Sequence, residues 1–174
     1  IEAYRLYDRD IPEIRAAVDR YGDHLVFAEY VREQTARFED WAGTMARAVG
    51  EALALPEANV HVRQRRTGHR GRRYDRQGHR GQRIVVRERS LSFHVNLTDY
   101  VDTGLFNDAR ELRRLVGEDA DDARFLNLFG YTGTVTCAAA AGGARQTPTV
   151  DASDAYLDWA RDNLVLNGLE GSHR

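Results

Sequence analysis

Short runs of alternating apolar and polar residues open the chain. Residues 3–7 and 14–21 read as short strands, and residues 24–31 alternate as a half-buried strand should. The period then lengthens. Phe38, Trp41, Ala42, Met45, Val49, Ala52 and Leu53 recur at helical spacing, which predicts a helix from an N-cap at Thr35 to about Leu55, stopped by Pro56. Strands are predicted next over residues 60–66, 83–89 and 91–97. The first two are joined by a Gly/Arg/His loop into a long basic hairpin.

Beyond residue 97 strands and helices take turns. A short helix over 107–116 and an acidic stretch over 118–122 precede a strand at 124–129, a helix at 134–141, a strand at 146–151 and a longer helix at 153–167. This order with short links predicts right-handed βαβ units and a parallel sheet. The expected fold class is therefore α/β in two parts. A small α+β accessory domain with a basic β-hairpin occupies 1–97, and the first βαβα part of a Rossmann-like domain occupies 98–174. Two strands do not close a doubly wound sheet, and the first residue is Ile1, so the natural protein is expected to extend beyond this stretch.

Composition narrows the function classes. The chain is 42% hydrophobic and 30% charged, with no apolar run near 18 residues and no signal-peptide pattern, which leads us to expect a cytoplasmic protein without a membrane partner. Its lone cysteine, Cys137, excludes an internal disulfide and a cysteine-based zinc site, and the six histidines lack metal-ligand spacing. We expect no metal. Asp119, Asp121 and Asp122 read as a solvated loop. All 25 basic residues are arginine, a bias that GC-rich coding explains. Their clustering is a separate matter. Residues 63–89 hold eleven arginines against Asp75 and Glu88, a balance of +9, which leaves −11 for the rest of a chain whose net charge is −2.

The chemistry concentrates in residues 125–151. An apolar strand runs into a turn with Gly130 and Gly133 and then into a helix. Glycines allow a tight turn and let the backbone approach a ligand, and the helix start offers free N–H groups with a partial positive charge, which suits a carboxylate. Asp151 ends the next strand 21 residues after Gly130, where doubly wound folds place an acid for ribose hydroxyls. A dinucleotide site wants Gly-x-Gly-x-x-Gly, whereas this turn is Gly-x-x-Gly with Tyr131 inside it. The same turn also serves elsewhere as a plain strand–helix link; Asp151 and the βαβ order favour the ligand.

These residues resemble a known family. Asn96-Leu-Thr-Asp-Tyr-Val-Asp-Thr-Gly-Leu-Phe106, residues 127–133, Val150-Asp-Ala-Ser153 and Leu157-Asp-Trp-Ala-Arg-Asp-Asn-Leu-Val-Leu-Asn-Gly-Leu169 are similar to the K domain of the bacterial bifunctional 23S rRNA guanine methyltransferases K/L. Tyr4-Arg-Leu-Tyr-Asp8 and Ala17-Val-Asp-Arg-Tyr-Gly-Asp23 extend the likeness over nearly the whole chain, loosest around Trp41 and in the arginine-rich loop. The resemblance implies S-adenosylmethionine as cofactor, 23S rRNA as partner and guanine N7 as target. By position it implies that Asn127, Phe129, Gly130, Tyr131, Thr132 and Gly133 cradle methionine and adenosine, and that Asp151 and Ser153 hold the ribose. Thr103, Gly104 and Phe106, with Asp108 and Arg110, would cap the cofactor. The family's Asp-Pro-Pro motif and its N-terminal partner methyltransferase domain have no counterpart here, so this stretch alone is expected to be inert.

Guanine N7 carries its own lone pair, so the reaction needs orientation more than acid–base help, and we assign no catalytic residue in this stretch. The alternative within the class, cytosine C5 methylation, needs a cysteine nucleophile. Cys137 sits among Ala138–Ala141, where core packing is expected instead. From another class, an RNA-binding module without activity would rest on Arg63, Arg65, Arg66, Arg70, Arg72, Arg73, Tyr74, Arg76, Arg80 and Arg83. Guanidiniums fork onto phosphates and stack on bases, Tyr74 offers a stacking face, and a solvated loop enriched by codon bias is the plain alternative.

Overall fold

The computed structural model describes residues 1–33, 35–65, 78 and 81–170. Two compact units emerge, and they do not divide at one point of the chain. The first holds Ile1–Gly81 with Leu97–Val101, and the second holds Gln82–Asn96 with Asp102–Arg174. The boundary expected at residue 97 thus becomes an exchange, because the strand pair before it packs with the later helices.

In the first unit, β1 (Ala3–Asp8), β2 (Ala16–Tyr21) and β3 (His24–Tyr30) form an antiparallel meander. Helix α1 (Trp41–Ala52) then carries the chain to β4 (Val60–Arg65), which pairs parallel to β3. A parallel neighbour needs such a crossover. Trp41, Met45, Val49 and Leu53 of the helical face pack on Val18, Leu25 and Phe27. Gly50 brings helix and sheet together, since a Cβ there would lie 2.7 Å from Val60 Cγ2.

Three expectations for this unit need correction. The helix starts at Trp41, because Thr35 does not cap it: its hydroxyl donates to the buried Glu29 carboxylate at 2.9 Å, and Phe38 is 65% exposed. Strand β3 is not half-buried. Pairing on both edges leaves its five central residues buried. Nor is the basic hairpin found among the described residues. Within them β4 pairs only with β3, while β5 (Arg83–Glu88) pairs with β6 (Leu91–Asn96).

The second unit sets the β5–β6 hairpin beside helices α2 (Arg110–Asp119), α3 (Thr134–Ala141) and α4 (Asp154–Leu166). Strands β7 (Asn127–Leu128) and β8 (Thr149–Val150) are short and parallel, extended by a bridge between Arg124 and Gln146. This is the expected βαβα order. Alanines of α3 let α2 come close, and Gly142 is obligatory there because a Cβ would meet the Gly117 carbonyl oxygen at 2.0 Å. The outer edge of β6 finds its partners on α4. Ser92 N–H donates to Asn167 Oδ1 and His94 N–H to Asn163 Oδ1, while Trp159 Nε1–H donates to the His94 carbonyl. Trp159, Asn163 and Asn167 are spaced by four, so one stripe of the helix substitutes for a neighbouring strand. No helix among the described residues is long and apolar enough to cross a membrane.

Candidate functional site

The turn between β7 and α3 is wound unusually tightly. Phe129, Tyr131 and Gly133 all have positive φ, at 56°, 50° and 69°. Left-handed backbone at Phe129 and Tyr131 costs about 1–2 kcal/mol per residue and persists only where neighbours hold it. They do. Gly130 N–H donates to the Val150 carbonyl, Gly133 N–H to the Gly130 carbonyl, and Tyr131 N–H to Asp151 Oδ2 at 2.9 Å.

Asp151 therefore faces the turn from the end of β8. Its other oxygen, Oδ1, accepts the Ser153 N–H at 3.0 Å, just ahead of α4. Each carboxylate oxygen keeps acceptor capacity beyond these bonds, because an ionised carboxylate offers about four lone-pair sites. Helix α3 begins with no side-chain cap, and its first bond back into the turn runs from Cys137 N–H to the Gly133 carbonyl. The N–H groups of Thr134, Val135 and Thr136 thus lack intrahelical partners. An acceptor-rich acid beside an uncapped helix start can take hydroxyl donors on the one and an anion on the other.

The tight turn expected of the two glycines is present, and contacts within the protein require both of them. A Cβ on Gly130 would lie 2.3 Å from Thr149 Cγ2, and one on Gly133 would lie 2.6 Å from Ala160 Cβ. They let the turn close on β8 and α4, so packing inside the protein explains them. Asn127 is likewise engaged: its Nδ2 donates to Thr136 Oγ1, which lies 2.7 Å from Thr149 Oγ1.

The segment before α2 meets the same turn. Thr132 is fully buried, its hydroxyl donates to the Gly104 carbonyl, and its own carbonyl accepts from Asn163 Nδ2 at 2.8 Å. Gly104 has φ +94°, and a Cβ on it would strike Trp159 Cζ2 at 2.3 Å. The Thr103 carbonyl accepts the Asn96 N–H at 2.9 Å. The Phe106 ring stands 5.2 Å from that of Tyr131, which in turn meets Tyr156 edge-on at 4.6 Å. Phe129 is 91% exposed, and Asp108 is exposed. Arg110 reaches Glu88, with Nε 3.3 Å from Oε2.

Sequence reasoning missed Glu88, Arg113 and Asn163. The asparagine was findable, since a polar residue on the stripe of Trp159 has to be satisfied in the core. Burial works against ionisation of Glu88, but hydrogen bonds and charge from Arg113, then Arg110, outweigh it and hold the carboxyl below its usual range. Its contribution to stability is therefore complete above the ordinary glutamate range and is lost as pH falls through the lower folded value.

Cys137 is fully buried, and burial pushes its thiol up to about 12. The thiolate is the reactive form, so this residue is unsuited to nucleophilic catalysis. The native thiol should resist Ellman's reagent at pH 8 and react only as urea unfolds the protein. Rapid labelling of the folded chain would contradict this burial.

Of the arginines proposed for RNA, Arg66, Arg70, Arg72, Arg73, Arg76 and Arg80, with Tyr74, lie outside the described residues. Arg63 Nε and Nη1 donate to the Leu97 and Val101 carbonyls. Arg65 lies over the Tyr30 ring, 5.8 Å from its centroid, with Arg9 at 4.9 Å. Arg83 pairs with Asp162 at 2.6 Å and lies over Trp159. Asp99 is fully buried and accepts the Gly81 N–H on Oδ2, while its carbonyl accepts the Gly78 N–H, so it fastens one root of the arginine-rich segment.

A family model described as S-adenosylmethionine-dependent methyltransferase matches residues 60–173. The ribosomal RNA large subunit methyltransferase K/L of Magnetococcus marinus is 45% identical over 177 residues, covering 100% of this chain and 24% of its own length. The ribosomal RNA large subunit methyltransferase K of Neisseria meningitidis serogroup B is 42% identical, covering 98% of this chain and 49% of its own length. The chain thus spans about a quarter of the one and half of the other. In structure, a candidate SAM-dependent methyltransferase from Streptococcus mutans matches 99% of this chain and 45% of its own, with a TM-score of 0.76 at 24% identity.

Proposed function

Because the chain belongs to the S-adenosylmethionine-dependent methyltransferase family, we propose that it carries the cofactor-binding part of an enzyme methylating large-subunit ribosomal RNA, with guanine N7 as the acceptor atom. The observation that carries this reading is the hydrogen bond from Tyr131 N–H to Asp151, which joins the glycine turn, the uncapped start of α3 and a carboxylate into one polar cradle. Within it Asn127, Phe129, Gly130, Tyr131, Thr132 and Gly133 border the methionine and adenosine parts. Asp151 and Ser153 hold the ribose, and Thr103, Gly104, Phe106, Asp108 and Arg110 form the cap.

When bound, the cofactor supplies an electrophilic methyl group, and the protein's task is to hold it and guanine N7 in line. The K and K/L names of the relatives support the RNA substrate. The small share of both relatives covered here supports a longer parent protein, for which we propose a second methyltransferase domain N-terminal to this chain. Burial of Cys137 speaks against this residue as the nucleophile of the cytosine C5 alternative.

Three measurements test the reading. Asp151→Ala in the full-length protein should weaken S-adenosylhomocysteine binding in calorimetry by about 2 kcal/mol or more, the range for losing hydrogen bonds to a charged acceptor. Unchanged affinity would remove the cradle from the account. Nucleoside mass spectrometry of treated 23S rRNA should then find 7-methylguanosine. Changing Arg66, Arg70, Arg72 and Arg73 to glutamine should lower RNA affinity and flatten its salt dependence while leaving cofactor affinity alone. Changing Arg83, already paired with Asp162, should do neither.

A further inference from the structure

Glu88 and Arg113 form an ion pair that is almost wholly removed from water, 4% and 3% exposed. The geometry is bidentate. Arg113 Nε donates to Glu88 Oε1 at 2.7 Å and Nη2 to Oε2 at 2.8 Å, with Arg110 Nε adding a third contact one turn earlier. Such pairs are weak stabilisers, because desolvation of two charges offsets their attraction and apolar residues of similar volume often do as well. Nor is this pair tuned for stability alone, since Arg113 Nη1 is buried without a hydrogen-bond partner among the described residues. Its distinctive feature is a further bond: Arg113 Nη2 also donates to the Phe106 carbonyl at 3.0 Å.

Phe106 connects this pair to the turn. Its ring lies 5.2 Å from Tyr131, whose N–H is given to Asp151. From the end of β5, then, one charge-assisted chain runs through Glu88, Arg113, the Phe106 carbonyl and the Phe106 ring to the turn. An apolar pair could fill the same volume, but it could not donate to a carbonyl. Lysine could not reproduce it either, because one ammonium lacks the planar fork that grips a carboxylate with two nitrogens while reaching a second acceptor.

We propose that Arg113 is a positioning residue of the cofactor site, anchored by Glu88, and that it sets Phe106 against Tyr131 so that the cap and the turn meet the cofactor in register. This rests on the reading that residues 103–106, Tyr131 and Asp151 line an S-adenosylmethionine site. The residues assigned to the cofactor keep their identity in every variant; what changes is the support behind them, the Glu88 partner of Arg110 included.

The experiment uses the full-length protein and three measurements: S-adenosylhomocysteine affinity by calorimetry, melting temperature, and KM for S-adenosylmethionine against kcat. In the double variant Glu88→Leu with Arg113→Met, both charges leave together and the core stays filled. Its melting temperature should remain near that of the parent, while the affinity falls about tenfold or more and KM rises with kcat nearly kept, as expected when supporting geometry loosens. Arg113→Lys keeps the charge and should not rescue the affinity. A folded double variant that binds like the parent overturns the proposal. Should the double variant fail to fold, the lysine variant decides: full affinity overturns the proposal, and weakened affinity in a folded protein supports it. If the parent itself binds no S-adenosylhomocysteine, the cofactor reading fails instead.

Discussion

Replacing Trp159 with alanine is expected to destabilise the second unit by about 3–5 kcal/mol, the range for removing a large aromatic from a close-packed core. Trp159 is the largest fully buried side chain of the protein's described residues. Three features converge on it: Gly104 rests against the ring, Arg83 lies 4.8 Å from its centroid, and Nε1 donates to the His94 carbonyl at 3.0 Å. The variant loses packing and leaves that carbonyl without its indole donor. Urea unfolding followed by circular dichroism gives the loss, and Trp159→Phe separates the terms. Phenylalanine keeps most of the volume and drops the hydrogen bond, so it should cost about 1–3 kcal/mol. Equal effects from the two variants would mean that the indole N–H, not the ring, carries the stabilisation.

The helices around this tryptophan were the most legible part of the sequence. The helix expected over 134–141 is found over Thr134–Ala141, and the one expected over 153–167 runs Asp154–Leu166 behind Ser153. Both are defined by local information: Gly133 and a run of alanines for α3, Ser153 and a helical spacing of buried residues for α4. Strand pairing is long-range, and there the pattern misleads. Residues 83–89 carry the right alternation for β5, but alternation does not name a partner, and β6 competes successfully because only two residues separate it from β5. The cap expected at Thr35 fails for a related reason. A threonine ahead of an apolar stripe is a sound capping signal until a buried carboxylate, here that of Glu29, claims its hydroxyl.

The site was legible in its outline and not in its supports. Gly130 and Gly133 stand on one turn, and Asp151 meets it from the end of β8. What the sequence could not disclose is that the glycines face Thr149 and Ala160, or that Arg113 is buried. In composition an arginine beside Arg114 on an amphipathic helix reads as solvent-facing, and Arg114 indeed pairs with Glu111 and Glu118 at the surface. One position earlier, the helix turns Arg113 inward onto Glu88.

Gly133→Ala should add a strongly damaging methyl group to the turn. At φ +69° alanine takes a left-handed backbone at about 1–2 kcal/mol. The new Cβ would lie 2.6 Å from Ala160 Cβ and 3.1 Å from its Cα, so α4 itself has to move, adding about 1–3 kcal/mol of overpacking. A shift of α4 also disturbs Asn163, whose Nδ2 holds the Thr132 carbonyl inside the turn. Stability and cofactor affinity are therefore expected to fall together. Ala160→Gly tests whether the clash is the cause. Alone it costs about 1 kcal/mol, as glycine does within a helix. Combined with Gly133→Ala it removes the 2.6 Å contact with the Ala160 Cβ but leaves the 3.1 Å approach to its Cα and the φ strain, so the pair should be more stable than the sum of the single changes by about 1 kcal/mol. Strict additivity in that double-mutant cycle would show that the Ala160 methyl is not what demands glycine at the head of α3, leaving the backbone angle and the approach to the α4 backbone.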